Sequence, residues 1–208
     1  MATLYNRIQG RSLERLAALS DGIFAVAMTL LVLDLHLPTA AQVHSESELW
    51  AALCALAPQW VTYGMSFLTL GIFWAGQQTQ FNHMGEGTRD LTWIHLAFLF
   101  AVTLVPLSTR LLAEFIAYRS ALGLYWLNIF VLGAMLYWSW AHATHEGLIK
   151  PDTPEEVRGS ICRRIVIAQS LYAAGAALCF VSNWVSIAAI GLVQLNYAIA
   201  PRLSRMRS

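Results

Sequence analysis

Six apolar stretches, each near the ~20 residues that a helix needs to cross the hydrocarbon of a bilayer, set the terms for any fold of this chain. They run over Leu13–Leu37, Leu49–Gln77, Leu91–Phe115, Ala121–His145, Ile161–Phe180 and Trp184–Pro201. Only 12% of the 208 residues are charged, against about 25% in soluble domains. Mean hydropathy is +0.54. The expected fold is all-α: an integral membrane protein with six transmembrane helices per subunit, in one domain over residues 1–208. The last two stretches are parted only by the turn Val181–Trp184. Joined, they would give about 40 apolar residues, twice what a bilayer takes.

Lysine and arginine set the orientation. With the N-terminus inside, the inner side holds Arg7, Arg11, Arg15, Arg89, Lys150, Arg158, Arg163, Arg164, Arg202, Arg205 and Arg207, and the outer side Arg110 and Arg119. Eleven against two places both termini in the cytosol. No cleaved signal peptide is expected in the first 15 residues. Trp50, Trp74, Trp93, Trp138, Trp140 and Trp184 lie near span ends, where an aromatic belt forms and where packing serves equally well. A net charge of +1 implies no general attraction to nucleic acid.

The first stretch carries Asp21 and Asp34, thirteen residues apart. That is roughly 20 Å along a helix, less than the ~30 Å of hydrocarbon. The two carboxylates cannot both reach headgroups on a straight, upright helix. At least one meets protein or water, so this helix is not lipid-facing all round. They also stand roughly 140° apart around the axis. Gly22, Val26, Thr29, Leu30, Leu33 and Leu37 form one stripe, with Asp21 nearly opposite and Asp34 on its outer flank. Spacing alone leaves two readings: a packing stripe with structurally satisfied acids, or a pore lining with an outer acidic ring.

Chemistry-bearing clusters are sparse. His142, His145 and Glu146 share a helix end, but no third histidine or cysteine ligand accompanies them, so no metal site is expected. Cys54, Cys162 and Cys179 have no paired spacing and read as small packing residues. Ser20 and Asp21 point about 100° apart and make no nucleophile–base pair. The chain is not expected to be an enzyme.

These residues resemble a known family. Arg15, Leu19, Ser20 and Asp21, followed by Thr29-Leu30-Leu31-Val32-Leu33-Asp34, are similar to the first-helix pattern R-x-x-x-F-S-D and T-L-L-x-L-D of the transmembrane protein 175 family, the endolysosomal potassium channels. Leu19 stands where that pattern has phenylalanine. Phe73, Trp74, Gln77, Gln78 and Phe81 resemble F-W-x-x-H-H-x-x-F, with both histidines replaced by glutamine. Pro106 and Thr109 match the third helix. The likeness is to the single-repeat prokaryotic members.

The resemblance implies a homotetramer in the cell (plasma) membrane, contacting lipid and monovalent cations, with four copies of the first helix around one pore. It implies a potassium-preferring channel whose permeant ion is K+ and which needs no cofactor. The narrowest layer falls on Val26, with Leu30 and Leu33 as further apolar layers, Thr29 as a hydroxyl layer and Asp34 at the outer mouth. Arg15, Ser20 and Asp21 belong by resemblance to a polar network bracing the first helix, with Trp74, Gln77 and His95 as candidate partners. His95 reads either as a proton site or as a hydrogen-bonded packing residue. A proton-permeable channel and a proton-coupled secondary transporter are the alternatives. The transporter would need discontinuous helices in two repeated halves.

Overall fold

The structure, a computed structural model, describes residues 12–205. Arg7, Arg11 and Arg207, which enter the orientation count, lie outside the described residues. The described chain is helical: α1 Leu13–Leu33, α2 Glu46–Ala55, α3 Ala57–His83, α4 Arg89–Thr103, α5 Val105–Glu114, α6 Arg119–His145, α7 Glu155–Ala177 and α8 Asn183–Arg205. Helices suit such apolar runs because each closes its own backbone hydrogen bonds, which hydrocarbon cannot do for it.

Local chemistry sets many of the helix ends. Ser12 caps α1 by accepting from the Arg15 amide at 3.2 Å. Ser45 caps α2 and Thr88 caps α4 in the same way. Pro154 precedes α7 at its cap position. Two interior breaks follow prolines. Pro58 and Pro106 lack an amide hydrogen and crowd the preceding turn, so α2 ends at Ala55 and α4 at Thr103, with Leu56 and Leu104 as the caps between them and the next helix. The expected span Leu49–Gln77 is therefore divided, and its second part runs on to His83. None of the residues in α2 is buried. The Val181–Trp184 turn does part the last two helices, which pack on each other.

Among the described residues, four segments are both long and apolar enough to cross a membrane: Leu13–Leu33, Arg89–Glu114, Arg119–His145 and Glu155–Phe180. Helix α3 has 27 residues and ample length, but it is richer in polar side chains such as Gln77, Gln78 and Gln80. The apolar part of α8, Asn183–Ile199, is shorter.

Helix α1 packs on α3, α4 and α5, and α6 packs on α4, α5 and α7. Helix α8 closes back on α3 and α7. The main core gathers Phe24, Leu31, Leu70, Phe73, Phe98 and Leu122. A smaller cluster, with Leu16, Phe81, Leu91 and Trp140, lies at the end where the α3–α4 and α6–α7 loops meet. There the Gly85 amide donates to Leu148 O at 2.8 Å, and Lys150 Nζ donates to Asn82 O at 2.8 Å. Gly147, at φ 69°, makes the left-handed turn that ends α6 and frees the chain for this crossing. At Gly175 the approach of α7 to α8 is close: a Cβ there would lie 3.2 Å from Ile190 Cγ1. Ser186 Oγ donates to Gly175 O at 2.6 Å across the same contact.

Inside the main core runs a chain of polar side chains. Ser66 Oγ lies 2.6 Å from Thr109 Oγ1 and donates to the Tyr125 hydroxyl at 3.2 Å. Thr69 Oγ1 lies 3.4 Å from the same hydroxyl and accepts from Gln194 Nε2 at 2.7 Å. The group ties α3, α5, α6 and α8 together. Each bond counts, because an apolar surrounding offers no substitute partner. Tyr125→Phe removes the central hydroxyl and leaves Ser66 and Thr69 each another partner. It is expected to lower stability by about 1 kcal/mol, read as a reduced melting temperature in detergent; an unchanged melt would show that the hydroxyl contributes nothing.

Candidate functional site on the first helix

Helix α1 has two unlike sides. Leu16, Ser20, Phe24, Ala27 and Leu31 are buried, at the i, i+4, i+8, i+11 and i+15 spacing of one face. Phe24 meets the Phe98 ring at a centroid distance of 6.0 Å. The stripe that spacing singles out lies on the other side and is uncovered. Val26 is 58% exposed, Leu30 44% and Leu33 75%. Gly22, Thr29 and Leu37 are exposed with them. The packing reading of the stripe thus fails within one chain, because the packed face is the opposite one. An open groove of about 390 Å³ runs along it, lined by Leu19, Gly22, Val26 and Leu30 of α1 and by Thr103.

Thr29 Oγ1 donates to the Val26 carbonyl at 2.9 Å. That bond uses the hydroxyl hydrogen and leaves oxygen lone pairs free to accept or to coordinate a cation.

Asp21 sits at the margin between the two faces and reaches α3. Its Oδ1 accepts from Trp74 Nε1 at 2.7 Å and from Gln78 Nε2 at 2.9 Å. Trp74 and Gln78, at i, i+4, share a face of α3. The amide that meets Asp21 is therefore that of Gln78, not of Gln77. Gln77 is fully buried one residue away, and neither of its side-chain polar atoms has a hydrogen-bond partner among the described residues. The same holds for Ser20 Oγ.

His95 takes no part in this group. Its ring stacks on Phe81 at 4.7 Å, Nδ1 lies 3.0 Å from Leu91 O, and Nε2 lies 3.4 Å from Ser139 Oγ. Arg15 is exposed on the first turn of α1. Asp34 caps the far end of α1 and lies 4.0 Å from Arg110 Nη1, while Arg110 Nη2 lies 3.9 Å from Glu114. The structure thus brings Asp21 to Trp74 but Gln77 and His95 elsewhere, and it adds Gln78 and Arg110. The signal for Arg110 was available, since the orientation count puts it on the side of Asp34. The signal for Gln78 was its spacing from Trp74, which Gln77 nearly shares.

An all-α chain with several membrane-length helices, one of which is packed on one side and apolar and bare on the other, has the make-up of an integral membrane protein. Comparison with known proteins agrees. The family described as endosomal/lysosomal potassium channel TMEM175 matches residues 15–106. A potassium channel of Streptomyces collinus is 33% identical over 188 residues, covering 88% of this chain and 90% of its own. The crystal structure of a lysosomal potassium-selective channel TMEM175 homolog from Chamaesiphon minutus aligns with a TM-score of 0.78 at 27% identity, over 90% of this chain and 96% of that one. The human endosomal/lysosomal proton channel TMEM175 is 33% identical over 109 residues, 50% of this chain and 22% of the human protein. The chain belongs to the TMEM175 family.

The Asp21–Trp74 bond can be tested by a double-mutant cycle. Asp21→Ala, Trp74→Phe and the pair together are expected to give a coupling of about 1 kcal/mol in detergent unfolding. Additive effects would remove the brace between α1 and α3.

Proposed function

We propose that this chain is a potassium-preferring cation channel that conducts passively, as a homotetramer of six-span subunits in the plasma membrane with both termini in the cytosol. The two remaining spans of that count are α3 and α8, beside the four segments apolar enough by themselves. The observation that carries the proposal is the bare stripe of α1, from Gly22 to Leu37, in a family whose relatives are named potassium channels. An apolar face left open on a chain calls for lipid or another copy against it. Four copies of α1 meeting around an axis would turn it into a pore wall.

In that arrangement Val26 forms the narrowest ring, with Leu30 and Leu33 as further apolar layers. A ring of aliphatic tips controls passage by admitting or expelling water. Potassium sheds its hydration shell more readily than sodium, so an apolar constriction favours it. Thr29, whose hydrogen is engaged by the Val26 carbonyl, turns oxygen lone pairs toward the path. Asp34 stands at the outer mouth. Its pairing with Arg110 offsets part of its charge, and Glu114 beside them leaves each subunit with one net negative charge there. The attraction for cations is correspondingly modest. Asp21, with Trp74 and Gln78, acts as a brace and does not line the path.

Proton conduction is the second reading, favoured by the human relative's name. Against it, Gln77 and Gln78 carry no titratable group. The transporter reading finds its discontinuous helices at Leu56 and Leu104, both in the first half of the chain, with no matching interior break in α6 or α7.

Reconstituted in liposomes, the protein is expected to carry potassium down its gradient faster than sodium, without any counter-substrate and without matching proton flux. Val26→Leu adds a methylene to every subunit at the constriction. It is expected to lower the potassium current by about fivefold, the effect of roughly 1 kcal/mol on a barrier. Unchanged current would displace Val26 from the constriction. Flux that requires a proton gradient would replace the channel by a transporter.

A further inference from the structure

A large cleft in the described chain is remote from the stripe of α1. It lies between α3, α7 and α8 and holds about 910 Å³. Helix α7 packs on α6 and α8, whereas α1 packs on α3, α4 and α5. With α1 at a central axis, the cleft therefore opens on the flank of the assembly.

The two ends of the cleft differ chemically. One end is apolar, with Phe67, Leu68, Ile72, Ala168 and the ring of Tyr172 on its walls. The other end carries Arg163 and Arg164, near the start of α7. The guanidinium of Arg164 stacks 5.6 Å over the ring of Tyr197 on α8. No acid pairs with Arg163 or Arg164 among the described residues, while the nearby Glu155 is taken by Arg158 at 3.6 Å. Gln80 lies at the same end of α3. Its amide donates to Leu136 O at 2.9 Å, and its carbonyl oxygen, fully buried in the cleft wall, has no partner among the described residues.

The dimensions match one leaflet. From Ser160 to Tyr172 along α7 is roughly 18 Å at the helical rise, against about 15 Å for half the hydrocarbon of a bilayer. A slot of that length, apolar within and doubly cationic at its headgroup end, complements one acyl chain and one phosphate. Basic pockets between membrane helices recognise lipid headgroups in this way.

We propose that this cleft is a binding site for an anionic phospholipid. An acyl chain lies between α3 and α7, and the phosphate is held by Arg163 and Arg164. The arginines project from a helix face that protein leaves largely bare, so a lipid phosphate supplies the counter-charge that the described chain lacks. In the orientation proposed above, the lipid belongs to the cytoplasmic leaflet. The site does not depend on ion conduction.

Native mass spectrometry of the detergent-purified full chain, titrated with phosphatidylglycerol or with phosphatidylcholine of the same acyl chains, tests this. Phosphatidylglycerol is expected to bind more tightly. Arg163→Gln combined with Arg164→Gln is expected to weaken it by roughly 25-fold, about fivefold for each arginine. Ala168→Trp, which fills the apolar end, is expected to weaken both lipids, and a cooperative melt checks that each variant folds. Equal binding of the two lipids, or unchanged phosphatidylglycerol affinity in the double arginine variant, would overturn the proposal. So would full displacement of the lipid by inorganic phosphate, or efficient disulfide cross-linking between copies through Ile167→Cys, which would seat a second copy in the cleft.

Discussion

The structure depends on the packing of one side of α1. Lipid is as apolar as leucine, so helices in a membrane gain little by merely hiding apolar surface from one another. Close fit and polar bonds must hold them. On α1 the fit comes from Ser20 and Ala27, which are small enough for close approach, set among Leu16, Phe24 and Leu31. The polar bond comes from Asp21, whose carboxylate takes two donors from α3. With that side committed, the remaining circumference of the helix is apolar, exposed and aligned. The bare stripe is the consequence of a packed face that stops at Asp21.

The same need for polar satisfaction recurs through the bundle. Ser66, Thr69, Thr109, Tyr125 and Gln194 meet inside the core from four helices, and their bonds specify how α3, α5, α6 and α8 register. Polar groups in such surroundings fix direction, which dispersion contacts do not. At one end of the molecule the loops serve a related purpose. Backbone bonds from the α6–α7 loop to the end of α3, together with Lys150, hold the two connections side by side. At the other end, Arg110 lies between Asp34 and Glu114 and links the end of α1 to α5.

Much of the architecture was legible in the residues. Long apolar runs of low charge can only be helices in lipid, and their spacing marked the turns, including the short one at Val181–Trp184. The prolines were visible too, yet their effect on Leu49–Gln77 was not, since a proline in a span can bend a helix or end it. In the site, Gln77 and Gln78 were not separable from sequence. They stand roughly 60° to one side and 40° to the other of Trp74 around α3. Packing on the buried face took Gln77 and left Gln78 for Asp21. His95, a candidate partner in the network that the resemblance implies, lies instead against Phe81.

By itself the sequence determined that this chain is helical and membrane-embedded, and that Val26, Thr29, Leu30 and Leu33 share one side of the first helix. Those properties follow from local apolarity and from the fixed pitch of the α-helix. Only the tertiary structure decided which side of that helix is packed and which is bare, which glutamine reaches Asp21, and that Asp34 faces an arginine. Those outcomes depend on where α3, α4 and α5 come to rest, and the pitch of one helix carries no information about the position of its neighbours.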